Sequence, residues 1–271
     1  YYGSFALRAV RWRSLLNSAE IRPAPGSALP GIPGIITIFV LSWLANCLVP
    51  AKLGDAYRSW LLKQRAGTGF SAGLGTIIAE RFADLVGLGL VLGGSALLVF
   101  GRHLPAGAQV WVIIAVALCA ALILGLFLVR RYRGLLRRLV PVRIRSYYIL
   151  LEESALGSFG RLPTLAGLTL VLWLLEGVRL YLVGLSTGTS LGVAAALFVA
   201  LLASLLTAVP VTPAGLGFVE FGVVGALTLI GVTDQTAASV ALLDRLIAYW
   251  SLIPIGGLLW LVTRWRWRER N

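Results

Sequence analysis

Long apolar runs, several interrupted by charges, set the pattern of this chain. The runs 111–129 (WVIIAVALCAALILGLFLV) and 191–209 (LGVAAALFVALLASLLTAV) carry no charge. Each comes close to the roughly 20 residues that a helix needs to span a bilayer. Ala72–Phe100, Thr164–Thr187, Leu216–Val232 and Thr236–Val262 are long enough too, but hold polar or charged residues. Ile32–Val49 is shorter and contains Asn46, so a span and a re-entrant segment both fit it. The period-two alternation of a membrane barrel is absent. The pattern predicts an all-α integral membrane protein with about seven membrane segments, at least one broken or re-entrant.

Composition agrees. Of 271 residues, 58% are hydrophobic and 13% charged, and mean hydropathy is +0.88. A soluble domain would carry about a quarter charged residues. Residues 1–271 read as a single membrane domain. The sequence begins at Tyr1 and has no methionine, so it is expected to be N-terminally incomplete, with helices missing upstream.

The net charge is +13. Its basic residues gather at the ends of apolar runs, which is an orientation pattern and not a nucleic-acid footprint. The segment 130–145 (RRYRGLLRRLVPVRIR) holds seven arginines, and the C-terminal RWRWRERN holds four. Both are expected in the cytoplasm, which predicts a multi-pass protein of the cell (inner) membrane with a cytoplasmic C-terminus. LRAVRWR and KLGDAYRSWLLKQR also read as cytoplasmic. They agree with each other only if Ile32–Val49 re-enters without crossing; otherwise one of them binds headgroups on the far side. Cys47 and Cys119 read as small buried hydrophobes, and His103 has no ligand partners nearby. No metal site and no cofactor is expected.

A repeat is visible at an offset of 160–164 residues. VP (49–50), LGD (53–55), Arg81 and GG (93–94) correspond to VP (209–210), LG (216–217), Arg245 and GG (256–257). Asp55 precedes Arg81 by 26 positions, and Glu220 precedes Arg245 by 25. The expectation is two halves, 33–100 and 191–262, related by inverted topology. Transporters built this way bind substrate at the repeat interface near the midplane.

Glu80, Arg81, Asp84, Glu176, Arg179, Glu220, Asp244 and Arg245 all fall inside apolar segments. A charge at a helix centre costs roughly 2.5–3.5 kcal/mol, so these residues must pair, neutralise or line a wet cavity. Glu176 and Arg179 can pair on their own helix. Neighbours on a helix do not face one another, so each acid–arginine dipeptide points in two directions. Structural ion pairs tying helices together are the alternative to a site.

The stretch VPVTPAGLGFVE (209–220) breaks an apolar region with two prolines, glycines and a carboxylate. Thr212 or a glycine can cap a new helix from about Leu216, whose free amides suit an anion. Irregular backbone at membrane depth is tolerated only where protein covers it or a cavity is lined. A short aqueous loop between two spanning helices is the alternative.

These residues resemble the lysylphosphatidylglycerol synthase transmembrane family, the flippase-like membrane domain of the multiple peptide resistance factor and its stand-alone relatives. The likeness rests on NCLVPAKLGDAYR (46–58), ERFAD (80–84), PVTPAGLGFVE (210–220) and DRLIAYW (244–250), with RAVRWRSLL (8–16) ahead of them. Ala214 stands where a glycine is expected. The resemblance implies movement of lipid between leaflets, or handling of a lipid-linked glycan or isoprenoid. The soluble aminoacyl-transferase domain of the two-part proteins has no counterpart within these residues.

The candidate headgroup site is therefore Arg81 and Arg245 as phosphate contacts, with amides around Gly215 and Gly217 as further donors. Glu80, Asp84, Glu220 and Asp244 would keep the empty site near neutrality, and Asp55 and Arg58 complete the set. The expected partners are membrane lipids, anionic or phosphate-bearing, with no nucleic acid; homo-oligomerisation stays open. Two readings compete with a flippase. One is a membrane-embedded transferase acting on a lipid phosphate, for which no histidine or metal cluster speaks. The other is a non-transporting subunit serving a separate lipid-modifying enzyme or glycosyltransferase.

Overall fold

The computed structural model describes residues 1–49, 53–101, 106–208, 212 and 215–268, without the side chains of 106–108, 111, 208 and 265–268. The expectation that VPVTPAG lies within the hydrocarbon thickness falls largely outside the described residues. Among those described, the elements are all helical: α1 Gly3–Ser18, α2 Ile32–Leu48, α3 Gly54–Ala66, α4 Phe70–Phe100, α5 Ala106–Arg131 and α6 Arg133–Leu139. They continue with α7 Val142–Gly157, α8 Leu162–Ser186, α9 Val193–Ala208, α10 Phe218–Leu229, α11 Asp234–Arg245 and α12 Leu252–Arg268. Every apolar run of the sequence becomes a helix, and four helices among the described residues, α1, α3, α6 and α7, form where the sequence is mixed.

Local chemistry sets several boundaries. Pro33 and Pro163 stand in the first turns of α2 and α8, where a missing amide hydrogen costs nothing. The Asn46 side chain accepts the Gly54 amide at 2.8 Å, so this residue closes the turn from α2 into α3. Between α11 and α12 the chain does not break; Leu246–Trp250 form one π-helical turn, in which the Ser251 amide reaches the Leu246 carbonyl at 2.9 Å.

Among the described residues four helical stretches are long and apolar enough to cross a membrane: Phe70–Phe100, Val112–Arg131, Val142–Ser186 and Asp234–Arg264. Three shorter apolar helices accompany them, Ile32–Leu48, Val193–Thr207 and Phe218–Leu229.

Two hydrophobic cores organise the bundle. One gathers α1, α2, α3 and the start of α4 around Trp12, Ile38, Phe39 and Leu62. The other gathers the end of α4 and α8 with α9, α10 and α11 around Leu92, Phe198, Leu201 and Leu227. Along α4 the buried apolar residues pass from the first core (Ala72, Ile77) to the second (Leu88, Leu92). Glu80, Arg81 and Asp84 stand between them. Along α8 the same passage runs from Leu165 to Leu180, with Glu176 and Arg179 just before the second core. On the last helical stretch Asp244 and Arg245 separate Ala241 from Tyr249 and Leu252. The charges occupy the seam.

Candidate functional site

The seam holds six arginines and six carboxylates in three groups, each of them neutral. In the first, Arg11 reaches Glu80 at 2.7 Å and Asp84 at 2.5 Å, and Arg58 reaches the other Glu80 oxygen at 2.6 Å. Arg81 joins it through Asp55 at 2.9 Å and Asp84 at 3.5 Å. In the second, Arg8 bonds Glu176 at 2.8 Å. Arg179 bonds Glu176 on its own helix and Asp244 of α11 at 2.8 Å. The third is Arg245 with Glu220, at 3.0 Å. Removing charges from water costs several kcal/mol per ion even after relaxation, so neutrality group by group is what makes this density tolerable.

Helix α1 is the hub. Arg8 and Arg11 lie one turn apart and feed different groups, while Phe5, Trp12, Leu15 and Leu16 fill the first core. Trp12 donates to Thr76 at 3.0 Å, and Arg11 donates also to Thr169 of α8 at 2.9 Å. Arg58 is wholly buried, with its guanidinium carbon 4.7 Å from the Trp12 ring centre and 4.5 Å from that of Phe39. Its Nε and Nη1 find no hydrogen-bond acceptor, and the two aromatic faces stand in for one.

The groups differ in access, and this sorts the sequence-predicted residues. Side chains of Arg11 and Arg58 are 0% exposed and that of Glu80 is 1% exposed, so this centre is closed. At the periphery Arg81 is 35% exposed, Asp55 18% and Glu220 20%, while Arg245 itself is buried behind Glu220 at 10%. Glu80 and Arg81 thus point to different partners, as adjacent helical residues must. Arg81, Asp55 and Asp84 come together, and so do Arg245, Glu220 and Gly215. A Cβ on Gly215 would lie 3.6 Å from Arg245 Nη2. Asp244 turns away to Arg179.

Gly215 and Gly217 have φ of +71° and +80°, a region that favours glycine, and α10 starts at Phe218 with Gly217 as its N-cap. Thr212 does not cap this helix; its hydroxyl donates to the Leu216 carbonyl at 2.9 Å. Glu220 lies in the first turn, and its Oε2 is buried without a hydrogen-bond partner.

Two corrections to the sequence reading follow. Arg8, Arg11 and Arg58 lie in segments read as basic loops, but all three are buried in ion pairs. Arg8 and Arg11 belong to the charged seam and lie outside the candidate set. Glu176 and Arg179 pair locally and also join α1 to α11, as structural ion pairs tying helices together would. Among the described residues no group of three histidine, cysteine or acidic side chains is placed to hold a metal.

The fold and the seam define a helical membrane protein organised around buried, mutually neutralised charges. The chain belongs to the family described as the lysylphosphatidylglycerol synthase TM region, whose model matches residues 1–256. A UPF0104 membrane protein of Methanocaldococcus jannaschii is 34% identical over 229 residues, which are 83% of this chain and 94% of that protein. A UPF0104 membrane protein of Pyrococcus horikoshii is 24% identical across 97% of this chain and 85% of its own. The glycosyltransferase AglD of Haloferax volcanii is 26% identical over 90% of this chain, but only 45% of that protein is covered. No solved structure gives a significant match.

Proposed function

We propose that this protein binds a phosphate-bearing membrane lipid at the Arg81 and Arg245 pairs and moves its headgroup between leaflets. The observation that carries this reading is the contrast within the seam: a closed Arg11–Arg58–Glu80 centre, an Arg81–Asp55 pair that reaches the surface at its edge, and a separate Arg245–Glu220 pair whose acid is partly exposed. A lipid phosphate, though tetrahedral, offers arginine two oxygens for a bidentate pair, as a carboxylate does. It can take the place of Asp55 or Glu220 without leaving a buried guanidinium unpaired. The amides at the start of α10 add donors with a favourable dipole. The orientation that goes with this reading puts the C-terminus in the cytoplasm, on arginine density alone.

The likeness to part of a glycosyltransferase favours one second reading, that of a membrane subunit serving a separate enzyme. One experiment separates them. The purified chain is placed in liposomes with labelled lipids of several headgroups, and leaflet accessibility and lipid mass are followed together. Faster exchange of an unaltered anionic lipid supports translocation. A chemically changed lipid supports a transferase. Neither, together with co-purification of an enzyme from membranes, supports the subunit reading.

A further inference from the structure

We propose that the corner formed by the end of α5, by α6 and by the start of α7 is a docking surface for anionic phospholipid headgroups of the surrounding bilayer. It is distinct from the buried seam and does not depend on the translocation reading.

The seven arginines of residues 130–145 divide into two sets. Three build the corner. Arg133 and Arg137 bond the buried Glu152 of α7 at 2.5 and 2.9 Å, and Arg137 reaches Glu153 at 3.0 Å. Arg145 donates to the carbonyls of Val140 at 3.2 Å and Arg138 at 3.4 Å, closing the end of α6. The other four are Arg130, Arg131, Arg138 and Arg143. They are exposed, and no ion pair is formed by any of them among the described residues. Arg130 and Arg131 touch only aromatic faces, with ring centres of Phe159 and Tyr132 at 5.9 and 5.7 Å. The corner is thus held rigid by one set of arginines while the other carries an uncompensated positive charge.

Large apolar side chains are interleaved with that charge. Leu135, Leu139, Val142 and Ile144 are exposed, Leu139 by 71% and Val142 by 77%. A face solvated by water has no use for four such residues, and a face in hydrocarbon cannot carry four unpaired arginines. The mixture fits the boundary, where apolar side chains enter the acyl region and arginines meet headgroups. Position agrees. The α5 turns just before the corner expose Ile123, Leu124, Phe127 and Leu128, a surface fit for hydrocarbon, and the arginines begin where it ends. The exposed Tyr132 and Tyr147 add rings of the kind that gather at membrane interfaces. Charge complementarity selects lipids with a net negative headgroup over zwitterionic ones.

Each arginine near an anionic surface strengthens attachment by about fivefold, so losing four should remove any preference. The test places the full chain in nanodiscs of zwitterionic lipid with traces of photoreactive phosphatidylglycerol or phosphatidylcholine, and maps the crosslinks. Phosphatidylglycerol is expected to label residues 130–147 at least about tenfold more than phosphatidylcholine, and high salt should weaken that preference. The variant R130Q/R131Q/R138Q/R143Q should lose it and keep its thermal unfolding midpoint within a few degrees, because among the described residues these arginines form no ion pair and two of them only stack on aromatic rings. If the fourfold variant fails to fold, R138Q and R143Q singly should each lower the preference by about fivefold. Equal labelling by both lipids, or a preference that survives these substitutions, overturns the proposal.

Discussion

Arg81 holds Asp55 through Nε and Nη2, each 2.9 Å from a different carboxylate oxygen. The two residues are 26 positions apart, and 25 separate Arg245 from Glu220, its partner at 3.0 Å. In both pairs the acid sits in the first turn of a short helix, α3 or α10, and the arginine comes from a later one. A carboxylate there is favoured by the helix's positive end, so each acid is stabilised twice. The glycine pairs 93–94 and 256–257 are less alike. Gly93 and Gly94 have open space around them, whereas a Cβ on Gly256 would lie 3.0 Å from the Leu44 Cβ.

Substitution of either peripheral arginine by lysine keeps the charge and removes the planar fork. A charge-assisted hydrogen bond contributes roughly 1.5–3 kcal/mol, so Arg81→Lys and Arg245→Lys should each slow lipid movement about tenfold or more. Folding should survive. Wild-type rates for both variants in liposomes would make these arginines structural.

Glu80 should behave differently. It is the shared acceptor of Arg11 and Arg58, and all three side chains are closed off from solvent. Glu80→Gln leaves two buried guanidinium groups short of charge, a change that costs about 3–5 kcal/mol. A fall in the unfolding midpoint well beyond that of Arg81→Lys is expected in detergent. Equal midpoints for the two variants would contradict the division into a closed centre and an accessible edge.

The helices and the charged seam were partly legible in the sequence. Apolar runs located every long helix because lipid and core demand the same composition. The acid–arginine spacings that mark the repeat also fall on Asp55–Arg81 and Glu220–Arg245, which the structure pairs, although the spacing alone did not indicate that they would meet. What escaped notice was the place of α1, whose arginines looked like loop charges. A signal existed: the apolar runs hold five acids (Glu80, Asp84, Glu176, Glu220, Asp244) but three arginines (Arg81, Arg179, Arg245). Neutrality required two more cations, and Arg8 and Arg11 supply them. Their identity depends on which helices touch, which periodicity alone does not encode.

Close helix approach gives another test. A Cβ on Gly75 of α4 would overlap the Leu151 carbonyl and press on the Ala155 amide at 3.0 Å, so backbone stands in the way and cannot rotate aside. Gly75→Leu should abolish folding or sharply lower the yield of monodisperse protein. Gly93→Leu, with nothing within 4 Å of its Cβ, should be tolerated. The comparison is read by size-exclusion profile, and a normal profile for Gly75→Leu would deny the α4–α7 contact.

The π-helical turn brings the last helix to the candidate site through Tyr249. Its hydroxyl donates to the Cys47 carbonyl at 3.2 Å, near the end of α2, and its ring centre lies 5.8 Å from the Arg245 guanidinium carbon. Next to Cys47, Asn46 caps the helix that carries Asp55. Tyr249 therefore contacts Arg245 directly and bonds the end of α2, whose Asn46 in turn holds the start of the helix that carries Asp55. Tyr249→Phe keeps the ring and loses the hydroxyl, which should cost about 1 kcal/mol of stability and leave lipid movement nearly unchanged. Tyr249→Leu also removes the aromatic face under Arg245, a contact of about 0.5–2 kcal/mol, and should slow movement several-fold beyond Phe. Unfolding midpoints and liposome rates measured on both variants separate the two roles. If Phe and Leu slow movement equally, the ring does not position Arg245, and the tether to α2 is what matters.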